Sequence, residues 1–218
     1  MNLCSRSPIR LSILLTITVV TGAVPDARAQ TAEEVMNAVR MRLNGVETLA
    51  ADFDQTFSSE YLDQTETKTG TILLKGDMYR VETASQTFVT NGRITWIYNR
   101  PENQVLINNY VEDETTFSLN RFLFDFDELY YVVEMDSPPT DPGHHRIKLR
   151  AMDPAAFFPE VTITVRREDH QITRLEVVDA NETVITINLT SVVLDPAIPE
   201  DAFSFEPPEG SEIVDLRS

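Results

Sequence analysis

The chain has 218 residues and a formal net charge of −17, with 35 acidic against 18 basic side chains and a single cysteine, Cys4. A surface this acidic repels nucleic acid and anionic lipid headgroups, and one thiol rules out a disulfide framework and a thiolate metal site. The length suits one domain that relies on its own hydrophobic core.

Arg6 and Arg10 precede an apolar run over 11–24, and Ala27-Arg28-Ala29 follows as an A-x-A cleavage signal. Residues 1–29 are therefore expected to be a cleaved signal peptide, with the exported chain starting at Gln30. The run is short for a membrane span. Cys4 lies before the run, whereas a lipid-modified cysteine would follow it, so the chain is not read as a lipoprotein. Residues 30–218 then form a single thiol-free domain with a net charge of about −19.

Residues 31–44 read as a helix: Thr31 and Glu34 have capping-box spacing, Val35, Val39 and Leu43 form an apolar stripe, and Asn44-Gly45 ends it. Strand signals follow. Leu49, Ala51, Phe53, Gln55 and Phe57 alternate with polar residues. The segments 67–75 and 78–83 are expected to pair about Gly76-Asp77. The segments 87–90, 94–99 and 104–108 continue the meander through an Asn91-Gly92 turn and a turn over 100–103. Between 115 and 130 the pattern changes, with Leu119, Phe122, Leu123 and Phe126 at i, i+3, i+4 and i+7 of a helix, flanked by Phe117 and Phe124. Further strands are expected over 130–135, 145–152, 161–166, 173–178 and 183–193. A phenylalanine-rich helix needs a large apolar surface to lie on. The simplest architecture is a mainly β protein with helices (α+β): a long curved antiparallel sheet, an N-terminal helix and a helical lid over an apolar hollow.

The stretch TFVTNGRITWIYNRPENQV, residues 87–105, poses a question of faces. Ile94, Trp96 and Tyr98 share one side of their strand, and Thr95, Ile97 and Asn99 the other. Both sides carry large apolar residues, and one sheet face alone meets a helical layer.

Four segments together resemble the periplasmic outer-membrane lipoprotein carrier (LolA) family. LAADFDQTF (49–57) resembles its first strand, and GTILLK (70–75) the next. VTNGRITWIYNRPENQV (89–105) resembles its central hairpin, and DAFSFEPPEGSEIVD (201–215) its C-terminal segment. The resemblance implies an unclosed half-barrel that binds the acyl chains of lipoproteins in its hollow and moves them from the inner to the outer membrane. It implies a periplasmic monomer loaded by an inner-membrane lipoprotein-releasing ABC transporter and unloaded at an outer-membrane acceptor, with no cofactor and no metal. The residues expected to line the hollow are Leu49, Phe53, Phe57, Leu73, Trp96, Tyr98, Leu119, Phe122, Leu123 and Phe126, with Ile97 in place of Trp96 and Tyr98 if the strand faces the other way. Many relatives carry Arg-Pro after the second strand, and that arginine is implicated in closing the lid. Here the stretch is Lys75-Gly76-Asp77, so Lys75 or Arg80 is expected to donate to the lid helix instead.

Two other functions share this fold: an envelope sensor or regulator, and a general carrier of glycolipids or other hydrophobic ligands. Catalysis has little support. His144-His145 are adjacent in a strand and point to opposite faces. His170 lies apart, and neither an H-x-x-x-H spacing nor a G-x-S-x-G motif is present. Asn181-Glu182-Thr183 and Asn188-Leu189-Thr190 match the glycosylation pattern and read as strand and turn residues.

Overall fold

Thr31 caps the first helix, α1 (Ala32–Leu43), through reciprocal bonds: Glu34 N–H donates to Thr31 Oγ1 at 3.2 Å, and Thr31 N–H to Glu34 Oε2 at 2.8 Å. This is the capping box expected from the sequence. The computed structural model describes residues 30–59, 62–111 and 119–217. The expected signal peptide, Phe117 and the side chain of Phe124 lie outside that description.

Twelve strands among the described residues form one sheet, ordered β12-β6-β5-β4-β3-β2-β1-β11-β10-β9-β8-β7. They are β1 (Thr48–Ser59), β2 (Leu62–Lys75), β3 (Met78–Thr83), β4 (Gln86–Thr90), β5 (Ile94–Asn99), β6 (Gln104–Asn109), β7 (Tyr130–Asp136), β8 (His144–Ala151), β9 (Glu160–Arg166), β10 (Ile172–Val178), β11 (Val184–Leu194) and β12 (Glu212–Asp215). Neighbours pair antiparallel except β12, which lies parallel to β6. The sheet ends at β12 and β7 without closing, so the fold is an open half-barrel. Hairpin chemistry sets the register in the first half. Gly76 and Gly92 take φ of +52° and +80° at two tips, a conformation that costs glycine little. Asn91 Oδ1 accepts from the N–H groups of Arg93 and Ile94.

β1 pairs with β2 on one side and with β11, far along the chain, on the other, and so joins the two meanders. The second helix, α2 (Leu119–Leu129), kinks at Asp125 (φ −122°, ψ 16°). Both helices pack on one face of the sheet. There Val35, Met36, Val39 and Leu43 of α1 join Phe122, Leu123 and Phe126 of α2 in a core with Leu49, Leu74, Ile147, Leu149, Ile163 and Leu175. Burying each such side chain contributes about 1.5–3 kcal/mol. This face is the inner one. On the outer face, the segment after β11 makes a 3₁₀ turn at Glu200–Phe203 and crosses over β3 to β6 before adding β12. The sequence pattern showed neither this crossing nor β12.

Candidate functional site

Cross-strand register carries one row of inward side chains over seven strands. Ala51, Ile72, Val81, Phe88, Ile97, Leu106 and Val214 are successive neighbours from β1 to β12. Ala51 and Ile72 lie buried in the helix-covered core, whereas Val81, Phe88, Ile97 and Leu106 stay half-buried. The row toward the hairpin tips runs from Leu49 and Leu74 through Tyr79 to Thr90, Thr95 and Asn108. The row on the far side runs from Phe53 and Gly70 to Thr83, Gln86, Asn99 and Gln104. An apolar strip thus crosses the open half of the sheet between polar margins. Burial, reinforced by Tyr110, pushes the Tyr79 hydroxyl above its ordinary pKa of 10, so it stays a neutral donor at the strip's edge.

Gly70 makes room beside this strip. A Cβ built there would lie 3.0 Å from the ring of Phe53 and 2.0 Å from the carbonyl oxygen of Glu82. The absent side chain lets the phenyl ring lie across the neighbouring strand. Phe57, two pleats further along β1, pairs with Ile185 and is half-buried, and the Lys68 ammonium stands 5.7 Å from its ring centroid.

Helix α2 packs against the other half of the inner face. Phe122, Leu123 and Phe126 are each less than 5 % exposed, and Leu119 packs against the same core. The Phe122 ring sits 6.2 Å from Phe126 and 5.7 Å, edge-on, from Tyr130. Two arginines of α1 hold opposite sides of this arrangement. Arg42 donates twice to Gln171 Oε1, at 3.1 and 3.0 Å, and meets Asp169 at 3.4 Å, which fastens α1 to the β9–β10 turn. Arg40 pairs with Asp127 of α2 at 3.3 Å and lies over the Phe126 ring, 5.3 Å from its centroid.

Three residues expected in the hollow stand elsewhere. Leu73, Trp96 and Tyr98 belong to outward rows: Leu73, Arg80, Val89, Trp96 and Ile107 are successive neighbours, as are Thr87, Tyr98 and Val105. The reason is the C-terminal segment, which gives the outer face a small core of its own. Phe203, in the turn that contacts β3, is buried, Val89 and Val105 of these outward rows are buried as well, and Phe205 packs on Tyr98 at 5.7 Å. Ile97 takes the inward position. Arg80 is likewise corrected. It donates to the carbonyls of Ala202 at 3.1 Å and Ser204 at 3.3 Å and pairs with Glu82, so it anchors the C-terminal segment rather than the lid. Lys75 is exposed at the β2–β3 tip and donates to no α2 carbonyl. Among the described residues, the basic side chain that reaches α2 is that of Arg40.

The residues missed from sequence are Val81, Phe88 and Leu106. The signal for them was present in the Asn91-Gly92 turn, which pairs Phe88 with Ile97, but it gave no choice of face. His145 is a separate feature. It is 3 % exposed between Ser137 Oγ, which donates to its Nδ1 at 2.9 Å, and Gln30 Oε1, which accepts from its Nε2 at 3.2 Å. Burial, then the charges of Arg167 and His170, holds its pKa below the ordinary 6.5. Among the described residues no group of three or more His, Cys, Asp or Glu could hold a metal ion, and no helix is long and apolar enough to cross a membrane.

Comparison with known proteins agrees with this architecture. The family model described as outer membrane lipoprotein carrier protein LolA matches residues 44–206. An outer-membrane lipoprotein carrier protein of Hahella chejuensis is 27 % identical over 186 residues, covering 82 % of this chain and 87 % of the relative. One from Legionella pneumophila is 23 % identical over 190 residues, covering 85 % and 91 %. Among solved structures, an uncharacterized conserved protein of Thermus thermophilus superposes with a TM-score of 0.51 at 14 % identity, over 85 % of this chain and 99 % of that one, a likeness of fold alone. With its open half-barrel and a family match over most of its length, the chain belongs to the LolA family of outer membrane lipoprotein carriers.

Proposed function

We propose that this protein carries lipoproteins through the periplasm from the inner to the outer membrane, holding their acyl chains between the inward strip of β3 to β6 and the lid helix α2. The observation that carries the reading is the half-buried row Val81, Phe88, Ile97 and Leu106, which continues a closed core into an open, apolar strip. Acyl burial is worth about 0.8 kcal/mol per methylene, so covering about ten methylenes supplies on the order of 8 kcal/mol. Leu49, Phe53 and Phe57 extend the lining along β1. Leu119, Phe122, Leu123 and Phe126 form the plug that occupies the inner face when no lipid is present and moves aside when lipid enters. Residues 30–218 act as one domain after removal of the signal peptide. Loading takes place at an inner-membrane releasing transporter, and transfer to an outer-membrane acceptor requires only that the acceptor bind the chains more tightly.

The test is release. Membranes bearing a triacylated lipoprotein and the releasing complex are incubated with the protein, and the supernatant is examined for a soluble one-to-one complex. The wild type is expected to solubilise the lipoprotein. Ile97→Asp, with an unchanged circular dichroism spectrum, is expected to reduce release at least tenfold. Lipoprotein that stays membrane-bound with the wild type overturns the reading.

A further inference from the structure

A cleft of about 680 Å³ opens where the β2–β3 and β4–β5 tips meet the α1–β1 loop and the kink of α2. Lys75, Arg93, Glu47, Asp77 and Asp125 line it. None of these five side chains forms a hydrogen bond or an ion pair with another described residue. For Lys75 and Arg93 that is unusual among the described residues. Each other arginine or lysine whose side chain is described meets a carboxylate, a carbonyl, an amide, a hydroxyl or an aromatic face. Here cations and anions share one cleft yet stand too far apart to pair. The two tips are in contact: a Cβ on Gly92 would lie 3.6 Å from Asp77 Cβ. Val46 and Met78 supply an apolar wall, and Tyr79, the next residue, faces inward at the margin of the strip. The volume is within the range of small-molecule sites, about 300–1,000 Å³.

We propose that this cleft holds the headgroup of a zwitterionic phospholipid of the phosphoethanolamine type. The phosphate lies between Lys75 and Arg93, which suits a guanidinium and an ammonium on adjoining turns. The headgroup ammonium meets Asp77, Glu47 and Asp125. The acyl chain then passes Val46 and Met78 into the apolar strip. Separate cations and anions favour a group bearing both charges over a simple anion, which three nearby carboxylates would repel. The proposal rests on the reading of the strip as an acyl-chain site, and its test keeps the two apart.

Calorimetric titrations compare three lipids of one chain length below their micellar concentrations: monoacylglycerol, lysophosphatidylglycerol and lysophosphatidylethanolamine. Free phosphoethanolamine serves as the chain-less arm. The wild type is expected to bind lysophosphatidylethanolamine about tenfold more tightly than either other lipid, and free phosphoethanolamine only at millimolar concentration. The double variant Lys75→Gln, Arg93→Gln is expected to lose that preference and keep its monoacylglycerol affinity. Equal affinity for the three lipids in the wild type overturns the headgroup site, as does a preference that survives in the double variant. Lysophosphatidylglycerol binding as tight as lysophosphatidylethanolamine overturns the zwitterion assignment. Monoacylglycerol that fails to bind at all overturns the acyl-chain reading instead.

Discussion

Gly70 and His145 show how single side chains, or their absence, constrain this fold. At Gly70 the obstacle to a larger residue includes backbone: a methyl group would come within 2.0 Å of the Glu82 carbonyl oxygen, and strand β3 must shift to admit it. Gly70→Ala is therefore expected to destabilise by about 1–3 kcal/mol, measured as a lower denaturant midpoint at unchanged m-value. His145 acts through pH. Its folded pKa lies below that of the unfolded chain, where histidine titrates near 6.5, so the unfolded state binds the proton more tightly. The resulting stability is complete above about pH 6.5 and is lost as pH falls below that value. Urea midpoints are expected to drop between pH 7.5 and 5.5, and His145→Gln to show a smaller drop over the same interval. An identical drop in the variant would assign the effect to other groups.

Among the elements, α1 works as a bracket. Arg42 fixes it to the β9–β10 turn and Arg40 fixes α2 to it. The Arg40–Asp127 pair is about 40 % exposed on each side, so it is worth about 0.5–1 kcal/mol, and the contact with Phe126 adds a similar amount. A contact this weak suits the lid motion proposed above. Arg40→Ala is expected to speed uptake of an apolar fluorescent dye about two- to fivefold while global stability changes by no more than about 1–2 kcal/mol. An unchanged uptake rate would separate Arg40 from lid motion. The C-terminal segment works on the opposite face. Truncating its buried Phe203 leaves a cavity where the 3₁₀ turn meets β3 and should cost about 3–5 kcal/mol. The same change should shift the emission of Trp96, the single tryptophan of the chain, to longer wavelength.

Taken as a whole, the molecule divides into what periodicity announces and what only distant pairing decides. The capping box of α1, the apolar stripe of α2 and the hairpin turns are local, and their residues declare them. β3 and β5 have the predicted bounds for that reason. The first part of β2 was less visible, because residues 62–66, polar after Leu62, are recruited by pairing with β1. β12 has four residues and depends on β6, more than a hundred positions earlier. The face of Trp96 was illegible for the same reason. β5 is apolar on both sides, and its outward side is apolar because a segment about a hundred residues later covers it. The acidic surface, with a net charge of −17, suits the proposed carriage through an aqueous space.

That division of faces supplies the decisive measurement. Tryptophan fluorescence is recorded as a fatty acid with a dibrominated chain is added to the wild type and to the double variant Trp96→Phe, Ile97→Trp, because bromine quenches only at short range. Strong quenching of the indole introduced at position 97 in the variant, with Trp96 of the wild type almost unaffected, is the predicted result. Quenching of Trp96 without quenching at position 97 would contradict an acyl chain bound along the inward strip.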